Sequence, residues 1–370
     1  MNALSFIIWN GSPEIFSIPI PFLDTTLTLR WYGLLFALGF LISQQLLYYM
    51  FKKEGKPESD VDVLTVYMVI ATIIGARLGH VFFYEPARYL ANPIDILKVW
   101  EGGLASHGAA IGILVALWLY SRKKKPGQSY LQTLDRIVIL VALTGALIRF
   151  GNFFNSEIIG KQTRSTNGVF FARTVTDILK RKDIFTDVQY AKIPDPKGIY
   201  PYPPIKILCQ FNKANNYTEQ DMRRFLVNEV ADVLMYNGRI REHISQGDFI
   251  YDLVQDEDGT WYAIISTLAV PRYPAQLYEA ASCILLFIFL FWLWSRTKEN
   301  TRPGIIFGYF MIILWSLRFA YEFLKEPQVD FEIDMPLNMG QLLSIPMVIV
   351  GIIILVYAYR QKQQPPAVSK

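Results

Sequence analysis

MGQLLSIPMVIVGIIILVYAY, residues 339–359, contains no Asp, Glu, Lys or Arg. A helix needs about 20 apolar residues to cross the roughly 30 Å hydrocarbon layer of a bilayer, and this run has that length. Six further runs of similar character precede it, at about 27–51, 61–84, 103–120, 131–150, 274–294 and 304–324. The third is short, and Gly102, Gly103, Gly108 and Gly112 blur its entry. Composition points the same way. The chain has 370 residues, of which 52% are hydrophobic and 18% charged, against about 25% charged in a soluble domain. The remaining charge is concentrated: residues 161–271 carry 14 Lys and Arg and 14 Asp and Glu, the density of an ordinary soluble segment. An ordinary soluble enzyme, a disordered chain and a collagen-like chain are thereby excluded.

Basic residues in short loops orient such spans, because they favour the cytoplasmic side. Lys52, Lys53 and Lys56 follow the first span, Arg122, Lys123, Lys124 and Lys125 the third, Arg296, Lys298 and Arg302 the fifth, and Arg360 and Lys362 the seventh. Alternate loops are poorer in basic residues or acidic, as at Lys325, Glu326, Asp330, Glu332 and Asp334. The expected fold is therefore an all-α polytopic membrane protein of about seven transmembrane helices, N-terminus outside and C-terminus cytoplasmic. An α+β extracytoplasmic head is inserted between spans four and five. The expected divisions are 1–160 (spans one to four with an outer-face loop), 161–271 (the head) and 272–370 (spans five to seven and a tail). Within the head, GVFFARTV, PPIKILCQFN, DFIYDLVQ and TWYAIISTLAV read as strands, and 219–235 reads as a helix. Asp258-Gly259 reads as a hairpin turn. The formal charge of +4 follows from these topology signals, so no nucleic-acid partner is expected. Two cysteines, Cys209 and Cys283, make no disulfide framework. The start, MNALSFIIWNGSPEIF, lacks the basic and then apolar pattern of a cleaved signal peptide, so the first span is expected to target the chain.

Ionisable groups inside spans are costly unless paired or hydrated, and so are functional candidates. RWYG (30–33) opens the first span and also suits an interfacial anchor. GARLG (75–79) places small residues four apart, which lets helices approach closely, while Arg77 needs an internal partner. A lone histidine is more often a satisfied structural group than a catalyst, but His107 stands among glycines that open space beside its ring and favour ligand access. No second His or Cys sits at metal-ligand spacing, so a zinc site is not expected. RFGNFFNSEIIG (149–160) is too polar to face lipid. On a helix Arg149 and Asn152 share a face, and the arginine fork suits a phosphodiester. In the sixth span Arg318 and Glu322 lie one turn apart, a spacing that also suits a self-neutralising pair.

Together these motifs resemble the prolipoprotein diacylglyceryl transferase family. The resemblance extends from RFGNFFNSEIIG through RWYG, GARLG, Gly102-Gly103 with His107-Gly108, PAQLYE (274–279), Arg318 with Glu322, and Met339-Gly340-Gln341. Two departures stand out: a longer outer segment than is usual for the family, and Leu314 where some members carry Tyr. The resemblance implies transfer of the diacylglyceryl group of phosphatidylglycerol to the lipobox cysteine thiol of a preprolipoprotein, with release of glycerol 1-phosphate, in a bacterial inner membrane and toward its outer face. It implies His107, Arg149 and Arg318 as catalytic groups and Tyr32, Asn152, Asn155, Glu157, Gly160 and Glu322 as substrate-binding groups, with neither metal nor cofactor and with a monomer expected. The competing readings are a multi-pass transporter and a non-catalytic lipoprotein-binding membrane protein. Against the first, the spans show no repeat halves; against the second stand His107, Arg149 and Arg318.

Overall fold

The computed structural model describes residues 6–20, 25–98, 103, 105–165, 167–195, 200–326 and 335–361. Gly102, Asp330, Glu332, Asp334 and Lys362, which entered the sequence reading, lie outside them. In chain order the elements are β1 (Ile7–Trp9), β2 (Glu14–Ile20), β3 (Thr25–Arg30), α1 (Trp31–Lys53), α2 (Ser59–Phe83), α3 (Pro86–Ala91), α4 (Ser106–Ser121) and α5 (Tyr130–Phe154). Then come β4 (Val169–Phe171), α6 (Arg173–Leu179), β5 (Phe185–Lys192), β6 (Pro204–Phe211), α7 (Glu219–Phe225), α8 (Ala231–Tyr236), α9 (Gly238–Arg241), β7 (Ile244–Gln255) and β8 (Trp261–Ala269). The chain closes with α10 (Ala275–Thr297), α11 (Ile305–Tyr321) and α12 (Met339–Arg360).

Among the described residues six helices, α1, α2, α5, α10, α11 and α12, are long and apolar enough to cross a membrane. The chain is a polytopic membrane protein. α4, with 16 residues, is apolar but shorter. α12 is apolar all round and leaves Ile349, Ile352, Ile353 and Val356 exposed, the surface expected where lipid replaces water. The first helix starts at Trp31, later than the apolar run implied, because Thr25–Arg30 pairs antiparallel with β2, Leu27 opposite Ile18 and Leu29 beside Phe16.

Two compact units emerge. One comprises Leu35–Ile148, Glu279–Ala320 and Met335–Lys370. Here α2 and α4 meet through glycines. A Cβ on Gly75 would lie 2.5 Å from the Gly108 carbonyl oxygen, and one on Gly79 would lie 2.7 Å from Gly108 Cα. The small residues four apart thus serve helix contact. Arg77 is 3% exposed. It donates to the carbonyls of Ile96 (2.9 Å), Gly103 (3.4 Å) and Asp95, with its guanidinium 4.9 Å from the Tyr89 ring. Gly108→Val is expected to lower stability by about 1–3 kcal/mol, the usual overpacking range, read as the loss of unfolding midpoint in detergent. Elsewhere in this unit Asp135 accepts from the backbone N–H of Gly304 and Phe307, both at 2.7 Å, and so caps the start of α11. Arg136 pairs with Glu54 at 2.9 Å, which also accepts from Trp294 Nε1 at 2.6 Å.

The other unit comprises Met1–Leu34, Arg149–Tyr278 and Tyr321–Asp334. Its centre is a four-stranded antiparallel sheet in the order β5-β6-β8-β7. Phe185, Val188, Ile205, Ile207, Ala263 and Ile265 from its strands pack with Val175, Leu226 and Ile240 from the helices. The Asp258-Gly259 turn stands as read: Gly259 has φ 79° and Gln255 pairs with Trp261. Hydrogen bonds from Thr260, and then from Lys213, hold the Asp258 carboxyl down to about 2. GVFFARTV is a strand only to Phe171, because Val175, Ile178 and Leu179 recur at helical spacing and bury the face of α6. The helix read at 219–235 is divided by a wider turn over Leu226–Val230.

His243 is buried in this unit. Burial, and then the positive charge of Arg272, push its imidazole down from 6.5 to about 4. The native state therefore binds fewer protons than the unfolded chain. This contribution to stability is complete above pH 6.5 and is lost as pH falls from there through 4, amounting to about 3 kcal/mol at full protonation. The unfolding midpoint is expected to drop over that window, and His243→Gln to flatten the drop. Equal slopes in the two proteins would contradict the assignment.

Candidate active site

Arg149 and Asn152 fall on one face of the last turns of α5, and the guanidinium Nη1 donates to Asn152 Oδ1 at 3.2 Å. Asn152, 5% exposed, uses its other end to donate to Glu157 Oε1 at 2.7 Å. Asn155 Nδ2 donates to the same oxygen at 3.2 Å. One arginine and two carboxamides are thus gathered around one carboxylate, while Glu157 itself reaches solvent.

The loop that makes this possible has an unusual backbone. Ser156 and Ile158 have φ of 54° and 56°, the left-handed region that a β-branched residue such as Ile rarely enters. Strain of this kind costs about 1–3 kcal/mol per residue and persists only where surroundings impose it. Here they do. The Glu157 N–H donates to the Asn152 carbonyl (3.1 Å), Gly160 N–H to the Tyr273 carbonyl (3.0 Å) and Lys161 N–H to the Leu324 carbonyl (2.6 Å). Gln276 Nε2 donates to the Glu157 carbonyl at 2.5 Å. Gly160 is buried where a Cβ would lie 2.6 Å from the Tyr273 carbonyl oxygen and 2.9 Å from that of Leu324.

Tyr32 sits against α5 at Gly151, where a Cβ would approach its Cδ2 to 2.8 Å. Trp31 stacks on Phe154 with ring centres 4.9 Å apart, which places the RWYG segment beside the motif. Glu322, 9% exposed, receives Lys325 Nζ at 3.2 Å. Arg272, 4% exposed, donates to the carbonyls of Glu242 (2.7 Å) and Gly160 (3.2 Å) and to Glu326 Oε1 (3.0 Å). Tyr32, Arg149, Asn152, Asn155, Glu157, Gly160 and Glu322 all belong to this unit.

His107 and Arg318 belong to the helical unit. His107 is exposed in the first turn of α4, its ring 5.1 Å from Phe83 and 5.9 Å from Tyr84. Beside it a groove of about 570 Å³ runs between α2 and α4, lined among others by Ile70, Gly75, Leu78, Phe83, Gly108 and Ile111. Its walls are apolar, which suits hydrocarbon. Arg318 lies 5.5 Å from the Trp315 ring, and its Nε is buried without a hydrogen-bond partner among the described residues. Sequence reasoning assigned no role to Gln276, Arg272 or Lys325. Gln276 stood within PAQLYE, and only its polarity at the start of an apolar run marked it.

The family model described as prolipoprotein diacylglyceryl transferase matches residues 19–357. A protein of Tolumonas auensis named phosphatidylglycerol--prolipoprotein diacylglyceryl transferase is 34% identical over 357 residues, 96% of this chain and 99% of that protein. A protein of the same name from Chloroherpeton thalassium is 36% identical over 367 residues, 98% of each chain. Another from Bacteroides fragilis is 30% identical over 373 residues, again 98% of each.

Proposed function

The chain belongs to the prolipoprotein diacylglyceryl transferase family, and from that membership we infer how its side chains divide the work. The enzyme transfers the diacylglyceryl group from phosphatidylglycerol to a prolipoprotein. The acceptor is the lipobox cysteine thiol and the other product is glycerol 1-phosphate. The transporter and non-catalytic readings have no support among these relatives.

The observation that carries the role assignment is the Arg149, Asn152, Glu157 chain of contacts on a strained, pinned loop. Breaking the bond at the glyceryl carbon leaves negative charge on the departing phosphate. A guanidinium held in place stabilises that charge more in the transition state than in the ground state. Arg149 is the phosphate ligand, Asn152 aims it, and Asn155 and Glu157 complete the polar wall with Tyr32. Arg318 is the other cationic catalytic group, and its buried Nε, without a hydrogen-bond partner among the described residues, is the kind of donor that an anion satisfies. Glu322, held by Lys325, orders the chain that follows α11.

The attacking thiol has an ordinary pKa near 8.5 and must lose its proton to become the nucleophile. His107 is the general base. His107→Ala is expected to lower turnover by about 10²–10⁴-fold, the usual share of general base catalysis; near-normal turnover would leave thiol activation to the arginine field alone. The apolar groove beside His107 supports lateral entry of a lipid chain from the bilayer.

For topology we take α4 as the third of seven spans, its short length matched by the glycine-rich entry. The basic loops after α1, α4 and α10 and Arg360 after α12 place those ends in the cytoplasm. The N-terminus, the 161–271 head and the active site then face outward across a bacterial inner membrane, the chain working as a monomer. The divisions at 160 and 271 mark where the head joins the spans. The test uses purified protein in detergent with phosphatidylglycerol and a lipobox peptide, following glycerol 1-phosphate and peptide mass. A peptide with Ser in place of the lipobox Cys is the control. Release that does not require the thiol would refute the reaction.

A further inference from the structure

Gln276 lies in the first turn of α10 and is 1% exposed. Its Nε2 donates to the Glu157 carbonyl at 2.5 Å. A backbone carbonyl only accepts, so this contact fixes which end of the carboxamide faces the loop. Oε1 is left on the other side, buried and without a hydrogen-bond partner among the described residues. A side chain whose amide nitrogen is used and whose oxygen is left unsatisfied has been placed for the nitrogen.

What that nitrogen holds is the most strained backbone of the site. Ser156 and Ile158, on either side of Glu157, are both left-handed, and Asn155 Oδ1 and Ser156 Oγ are also buried without partners among the described residues. Such a loop relaxes unless its ends and its middle are tied. Its ends are tied by the Asn152 and Tyr273 carbonyls; its middle is tied by Gln276. The Glu157 side chain in turn takes Asn152 at 2.7 Å, and Asn152 takes Arg149 at 3.2 Å. Each link is a direct hydrogen bond, so a shift of the Glu157 backbone is passed to the guanidinium.

We propose that Gln276 is a positioning residue for the phosphate ligand, fixing Glu157 through its backbone so that the carboxylate holds Asn152 and Asn152 presents Arg149. The link from Glu157 to catalysis rests on the role assigned above to Arg149; the clasp on the loop does not. Gln276→Met keeps the volume and removes the donor. In the full-length enzyme in detergent, amide hydrogen exchange over 155–161 is expected to accelerate at least tenfold in this variant, with exchange in the 250–262 hairpin unchanged. With phosphatidylglycerol and lipobox peptide, kcat is expected to fall ten- to hundredfold with little change in KM for the peptide. In a Glu157→Gln background the same substitution is expected to cost less than threefold, because the group it positions is already gone.

Unchanged exchange over 155–161, or an equal loss of kcat in both backgrounds, overturns the proposal. If Gln276→Met also loosens the hairpin, Gln276→Asn, which keeps the amide but lacks the reach, is judged by the same two criteria. Accelerated exchange in an enzyme whose wild type releases no glycerol 1-phosphate would uphold the clasp and refute the transferase role assignment instead.

Discussion

Arg149→Ala is expected to slow glycerol 1-phosphate release by about a thousandfold or more while leaving the protein folded. A fixed donor aimed at developing oxyanion charge in a water-poor site is worth about 3–4 kcal/mol in mutational experiments, and a full positive charge there is worth no less. Asn152 Oδ1 loses its donor, but Asn152 keeps its bond to Glu157 and the loop keeps its backbone ties. The unfolding midpoint is therefore expected to move little. Arg149→Lys restores charge without the planar fork that can hold two phosphate oxygens, so it is expected to recover only part of the rate. The measurement is single-turnover release at saturating phosphatidylglycerol. A loss below tenfold, or full recovery by Lys, would remove Arg149 from the phosphate.

Gly160→Val has the second largest expected effect, and through geometry instead of charge. The atoms a side chain would meet are the backbone carbonyl oxygens of Tyr273 and Leu324, and neither can rotate out of the way. Gly160 also uses both of its own polar groups, donating to Tyr273 and accepting from Arg272. A side chain must therefore separate the loop from the segment that follows the sheet or from the turn after α11. Activity is expected to fall by at least a hundredfold, with a lower unfolding midpoint, and even Gly160→Ala is expected to cost most of it. Gly33→Ala is the matched control. A Cβ there meets nothing within 4 Å, so turnover is expected to stay within about twofold. An active Gly160→Val enzyme would mean that these three segments need not touch for catalysis.

The sequence reading succeeded where the signal is local. Apolar run length located six of the seven expected spans to within a few residues, and a three-residue spacing was enough to put Arg149 and Asn152 in contact. It failed where local pattern was interrupted. β5 was not recognised because a bulge between Phe185 and Asp187 breaks its alternation, leaving Phe185 and Val188, three apart, as the buried pair. Nor did the sequence reading say which groups meet the need of Arg77 for an internal partner: carbonyls of Asp95 and Ile96, in a short connecting segment, accept from it. No spacing rule anticipates acceptors supplied by an irregular backbone.

By itself, then, the sequence determined that the chain spans a membrane several times, that a soluble-like segment interrupts the spans, and that an Arg, two Asn and a Glu collect at the end of one helix. Each of these follows from composition or from helical period, which are properties of neighbours in the chain. The tertiary structure decided that Gln276 ties down Glu157, that Arg272 reaches Gly160, and that Gly160 lies between the carbonyls of Tyr273 and Leu324. These partners stand more than a hundred residues away in sequence. A hydrogen bond to a backbone carbonyl carries no side-chain signature on the accepting side, so nothing in the order of residues marks it before the chain has folded.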